Sequence, residues 1–225
     1  MDAVALRLPV AELLLAHGAE IDRPRADGRT AFVLAVRTGN VATAEYLRQR
    51  GAAARELSAS DDLLGACLAA EAKRARALLA SHPGLLAELT EEDRGVLAQA
   101  AEEGRDASVR LMAELGFDLR WERAWAGTPL HHAAWRGNPA MVSLLLALGA
   151  PVDARDCRFG SSPLGWAAHG SVNCRRADDD YCAVVEALLD AGATRPAAVN
   201  SWDEPPEALA SRRVVTLLRK RGFAQ

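Results

Sequence analysis

One isoleucine and two lysines (Lys73 and Lys220) are all that 225 residues contain of either type. That single Ile and 15 Val stand against 47 Ala and 31 Leu, which withholds the residues that build strands and supplies the strongest helix formers. Long apolar runs are missing too. The stretch 142–148 is interrupted by Ser143, far short of the ~18 consecutive apolar residues a membrane helix requires. No basic segment follows Met1-Asp2, so no secretory leader is expected. Cysteine is sparse (Cys67, Cys157, Cys174, Cys182) and forms no Cys-x-x-Cys pair, which excludes a disulfide scaffold and points to a reducing, cytoplasmic setting. Arginine carries 25 of the 27 basic charges and is dispersed, while Asp and Glu total 30. A net charge of −3 fits neither a polybasic nucleic-acid binder nor an acidic disordered tail, so neither a nucleic acid nor a membrane is expected as partner.

What is present is a repeat. An apolar helix closing on Gly recurs as Leu13-Leu14-Leu15-Ala16-His17-Gly18-Ala19 and Tyr46-Leu47-Arg48-Gln49-Arg50-Gly51-Ala52. It returns as Leu144-Leu145-Leu146-Ala147-Leu148-Gly149-Ala150 and Leu188-Leu189-Asp190-Ala191-Gly192-Ala193. Weaker copies end at Gly84, Gly116 and Gly222. Successive Gly-to-Gly spacings are 33, 33, 32, 33, 43 and 30 residues, one register held along the chain.

A second signature opens each unit. Residues 128–134 read Thr-Pro-Leu-His-His-Ala-Ala, with Gly137 beyond; 30–36 and 162–168 are looser copies. Thr128 is suited to cap a helix and Pro129 to begin it, where its missing N–H costs nothing. Ala133-Ala134 would let helices approach closely, and Gly149 would end the second helix in a left-handed turn. Each unit is then helix–turn–helix plus a hairpin-like loop, too small to bury its own apolar face and completed by its neighbours.

The Thr-Pro-Leu-His-x-Ala pattern and the unit length resemble the ankyrin repeat. The resemblance implies an all-α solenoid over 1–225: a partial unit at 1–22, units at 23–54, 55–88, 89–120, 121–155 and 156–196, and a capping unit at 197–225. Residues 10–17 supply a second helix with little room for a first. Pro205-Pro206 precede a last helix over 208–221, whose Arg219-Lys220-Arg221 end reads as a solvated helix terminus. The 43-residue spacing places about ten extra residues, 171–180, between the two helices of the sixth unit. Their proximity to Trp166 and His169 makes them a candidate ligand contact.

The resemblance also implies a concave groove lined by first helices and hairpin tips, with a protein or peptide as the usual occupant. The corresponding slots here are Leu34, Arg37, Thr38, Cys67, Ala70, Glu71, Gln99, Glu102, Glu103, His132, Trp135, Arg136, Trp166, His169 and Gly170, with Trp125, Arg158 and Phe159 at hairpin tips. Four of the five Trp fall between 121 and 166, and Trp and Arg are the usual anchors of binding surfaces. Trp125, Trp135 and Trp166 are therefore expected to give apolar contact area, and His132, Arg136 and His169 to orient a polar group. The 171–181 loop, with Asn173, Arg175 and Tyr181, would wall one side, Arg158 and Phe159 would add contacts from the hairpin tip, and Glu102 and Glu103 would add acidity suited to a cation. His131, at the patterned His, is read as structural.

A second reading treats His132 and His169, with Glu103 or an Asp of the inserted loop, as an acid–base set in a small-molecule pocket. No nucleophile elbow, phosphate loop or dinucleotide fingerprint accompanies them, so binding is expected rather than catalysis, and no cofactor. Cys157, His169, Cys174 and Cys182 are able to ligate zinc, but their spacings match no knuckle, and no metal is expected.

Overall fold

The computed structural model describes residues 8–53, 57–122, 127–174 and 180–223. Those residues form sixteen helices and no strand, and no described helix is long and apolar enough to cross a membrane. The chain divides into two compact units, 1–89 and 90–225.

The first unit contains α1 (Leu8–Ala16), α2 (Ala31–Arg37), α3 (Val41–Gln49), α4 (Ala59–Leu68), α5 (Ala72–Ser81) and α6 (Leu85–Glu88). Helices α2 and α4 lie side by side, α3 backs α2, and α5 backs α4. Thr30, Asn40 and Ser58 cap α2, α3 and α4 by accepting the N–H three residues on, the role that favours short polar side chains there. Asp61, nearly buried on α4, accepts from Arg37 at 2.9 Å and from the Ser58 hydroxyl at 2.6 Å. Arg37 and Cys67, both assigned to the groove by sequence, therefore do other things. The Arg holds a neighbouring helix, and Cys67 is buried in the core, where burial pushes its thiol up to about 12.

The second unit contains α7 (Glu91–Arg94), α8 (Val96–Glu102), α9 (Asp106–Glu114), α10 (Pro129–Trp135), α11 (Pro139–Ala147), α12 (Pro163–Asn173), α13 (Tyr181–Asp190), α14 (Arg195–Ala198), α15 (Pro206–Leu209) and α16 (Arg212–Lys220). Helices α8, α10, α12 and α15 stack in one layer; α11, α13 and α16 stack in the other. The first layer is held close by Ala pairs. Ala100-Ala101, Ala133-Ala134 and Ala167-Ala168 are all fully buried, beside Leu97, Leu130 and Leu164. Each buried Leu contributes about 1.5–3 kcal/mol, so stacking, not intrinsic propensity, holds these seven- to eleven-residue helices.

Two carboxylates join successive units in the same register. Asp22, four residues after Gly18, accepts from the Ala53 N–H at 2.9 Å, and Asp153, four after Gly149, accepts from Thr194 N–H at 2.9 Å. Six of the seven register glycines have positive φ; Gly84 does not, at −87°. There Pro83 follows the end of α5, and Gly84 opens α6 instead of closing a helix.

Two boundaries differ from the sequence reading. Ser171, Val172 and Asn173, expected in the inserted loop, extend α12, because Ser171 is buried and its hydroxyl donates to the Ala168 carbonyl and accepts from Ser211 N–H. Residues 175–179 of that loop lie outside the described residues. The single helix expected over 208–221 is two, α15 and α16, broken where Ala210 and Ser211, ahead of α16, turn extended.

Candidate functional site

His131 fixes the frame of the site. Thr128 N–H donates to its Nδ1 at 3.0 Å, which leaves Nε2–H to donate to the Ser161 carbonyl at 3.0 Å, thirty residues on in the next hairpin. Burial holds this imidazole down at about 4, despite the opposing bond to Ser161 and the nearby Asp156. It is neutral at physiological pH and joins α10 to the following loop.

That loop is organised by Asp156, which is 2% exposed. Its carboxylate accepts from the N–H groups of Arg158 (2.9 Å), Phe159 (2.6 Å) and Ser161 (3.1 Å), and from the Trp166 indole at 3.0 Å. Trp166 is the centre of the ring cluster. His131, His132, Trp135 and Phe159 surround it at centroid distances of 5.3, 5.6, 6.1 and 5.8 Å, all edge-on. His169 adds a further ring 5.5 Å from Trp135. Gly127 makes room beneath: a Cβ there would fall 2.9 Å from Trp166 Cη2.

Beyond the cluster, residues 200–204 form a tight turn. Asn200 Oδ1 accepts from the N–H groups of Trp202 and Glu204, its amide donates to the Glu204 carboxylate at 2.8 Å, and Ser201 N–H donates to the Phe159 carbonyl. The turn holds Trp202 outward, 64% exposed, with its ring 6.2 Å from Phe159. Between turn, hairpin and helices opens a cavity of about 600 Å³. Trp135, Phe159, Trp166, His169, Trp202 and Glu204 line it, with Ser161, Gly165, Asn200 and Leu209. Rigid elements present half-buried aromatics, a surface suited to an apolar group bearing a polar end.

The sequence-assigned residues separate into groups. Trp135, Phe159, Trp166 and His169 converge on the cavity. Arg158 is exposed beside it, its guanidinium 5.2 Å from the Phe159 centroid. Glu102, His132 and Arg136 form a separate polar set: Glu102 accepts from Arg136 and lies 3.6 Å from His132 Nδ1. Glu103 pairs locally with Gln99 and Arg105. Asn173, exposed on the last turn of α12, donates to the His169 carbonyl at 3.0 Å. Tyr181 is buried and directs its hydroxyl at the carbonyls of Trp135 (2.7 Å) and Cys174 (2.6 Å), and it does not line the cavity. Trp125 and Arg175 lie outside the described residues.

Asp156, Asn200, Trp202, Glu204 and Leu209 were not among the sequence candidates. Trp202 carried a signal, a lone Trp just before Pro205-Pro206, in a segment read only as a cap.

Residues 97–195 match the family described as ankyrin repeats in three copies, and residues 3–48 the one described as ankyrin repeats in many copies. The chain belongs to the ankyrin repeat family. The ankyrin repeat domain of human ASB11 shares its fold at 23% identity, with a TM-score of 0.61 over 95% of this chain and 92% of that one. The ankyrin repeat domain of Bcl-3, described as a unique member of the IkappaB protein family, is 28% identical, with a TM-score of 0.58 over 94% and 91%. The rim of the cavity at 200–209 lies outside both segments matched to ankyrin repeats.

Proposed function

We propose that the second unit binds a segment of a partner protein and seats one partner side chain in the cavity between Trp135, Phe159, Trp166 and Trp202. Ankyrin repeats generally mediate protein–protein interaction, which sets the class. The observation that carries the site is Trp202, a large aromatic held outward by a hydrogen-bonded turn at the mouth of a 600 Å³ aromatic cavity. Trp at a concave, rigid position is the residue type that dominates binding energy, and little order is lost when the surface is already formed. Arg158 sits beside that mouth, while the Glu102–Arg136–His132 set offers polar contacts on α8 and α10.

A small-molecule ligand is the second reading, favoured by the cavity's size, which falls within the range of ordinary ligand pockets. Its catalytic form has less behind it. His169 and Glu204 line the cavity, whereas His132 does not and instead neighbours Glu102.

Selection of displayed peptides against the whole chain tests the proposal, with Trp202→Ala and Trp135→Ala as comparators. Selected peptides should share one anchoring residue and lose affinity at least tenfold on Trp202→Ala. Peptides indifferent to both substitutions would put the interaction elsewhere, and a small molecule retained in native mass spectrometry would move the second reading ahead.

A further inference from the structure

The partner reading leaves open what the cavity selects, and its chemistry is more specific than apolarity. Its rings do not form one platform. The planes of Trp135 and Trp166 lie 78° apart and those of Phe159 and Trp166 66° apart, so the aromatic walls meet at steep angles around the space. A sugar or a planar base would need a flat face with hydrogen-bonding groups at its edge. Here the amide of Asn200 is committed to its own turn. The fixed charge among the described lining residues is negative, with Arg158 outside the lining. Glu204 lines the cavity, no described lining residue is Lys or Arg, and Asp156 sits behind Trp166 as the acceptor for its indole N–H. A carboxylate on that N–H polarises the indole and makes its faces more negative, which strengthens attraction for a cation. The nearby Arg158 shows the same preference from within the chain, its guanidinium lying over the Phe159 ring.

Resting on the partner reading above, we propose that this cavity recognises the cationic end of a long side chain of the partner, an alkylammonium or guanidinium. The rings surround the charge, and Glu204 compensates it. The volume of 600 Å³ exceeds what the charged head alone fills, so the aliphatic stem enters with it. A neutral side chain of equal shape buries the same area but loses both the ring attraction and the carboxylate.

The test uses capped Gly-Gly-Xaa-Gly-Gly peptides titrated into the whole chain, followed by Trp fluorescence and by the indole N–H resonances of Trp135, Trp166 and Trp202. Xaa is trimethyllysine, its uncharged tert-butyl isostere, arginine, citrulline or leucine. The charged peptides are expected to bind about tenfold or more tightly than their neutral counterparts, from cation–π attraction in a partly dry site. Glu204→Gln should weaken only the charged peptides, and Trp202→Ala should weaken all of them; a Gln amide oxygen still accepts from Asn200 and Trp202 is exposed, so both variants keep the fold. Equal affinity for charged and neutral members, or tightest binding of leucine, would overturn the cation proposal while leaving a partner-binding pocket standing. No binding by any peptide would overturn both.

Discussion

The indole N–H of Trp166 donates to Oδ2 of Asp156 at 3.0 Å, and this one bond fixes a ring of the cavity to the hairpin that frames it. Asp156 carries three further N–H donors and is 2% exposed, so removing its carboxylate would leave four donors to be satisfied at once. Asp156→Ala is expected to destabilise by about 2–4 kcal/mol and to shift the near-ultraviolet Trp signal; Asp156→Asn, which keeps an acceptor, should cost less. Urea unfolding with near-ultraviolet circular dichroism measures both. A cost below 1 kcal/mol for Ala would show that the carboxylate does not hold the loop.

His131 gives the protein a pH dependence of known sign. Its imidazole is held down at about 4 by burial, against about 6.5 for a free one, so between those values the unfolded chain binds the extra proton. Its contribution is complete above pH 6.5 and is lost as the pH falls through 4. The full span corresponds to about 3 kcal/mol at most. His131→Gln should be less stable at pH 7 and show a shallower decline from pH 6.5 to 4. Parallel stability–pH curves for parent and variant would contradict this assignment.

Two glycines of the second unit should respond differently to the same substitution. Gly149 has φ +88° and open space around its missing Cβ, so Gly149→Ala should cost only the left-handed backbone, about 1 kcal/mol. Gly170 is helical and would place a Cβ 2.6 Å from the Trp135 carbonyl oxygen and 3.0 Å from the Tyr181 ring. Gly170→Ala should force α12 away from its neighbours, cost about 1–3 kcal/mol or more, and broaden the Trp135 and Trp166 indole resonances. Thermal unfolding ranks the two; the reverse order would mean that the helices accommodate the methyl group.

Tyr181→Phe isolates a single hydroxyl. The oxygen reaches two carbonyls, but its one proton serves only one at a time, so the loss should be near 1 kcal/mol with the ring packing intact. Hydrogen exchange at the C-terminal end of α12 should quicken while α8 and α9 stay unchanged. Uniform quickening across the unit would place the effect on global stability instead.

The repeat was legible because its markers are local: a capping Thr or Ser, Pro at the first helical position, an Ala pair, a closing Gly. Trp135, Phe159, Trp166 and His169 could be placed together from register alone, since a stack puts equivalent positions of neighbouring units side by side. Asp156 was not legible, because a hairpin carboxylate looks solvated until its loop turns three N–H groups inward and α12 adds the Trp166 indole. Trp202, Asn200 and Glu204 escaped because the repeat template has no positions for them. Their place depends on a turn held by Asn200 and on Ser201 pairing with Phe159. Tyr181 was legible as a neighbour of the site but not as a buried strut, since only packing shows which side of α13 faces α12.

The cavity draws its lining from α10, from the hairpin and helix at 159–169, and from the segment 200–209. Its width is thus set by the spacing between successive units, not by the shape of any one of them. Filling it would therefore act as a brace. A side chain seated there would touch several adjoining layers, oppose bending of the stack at that point, and make the stiffness of the second unit report on occupancy.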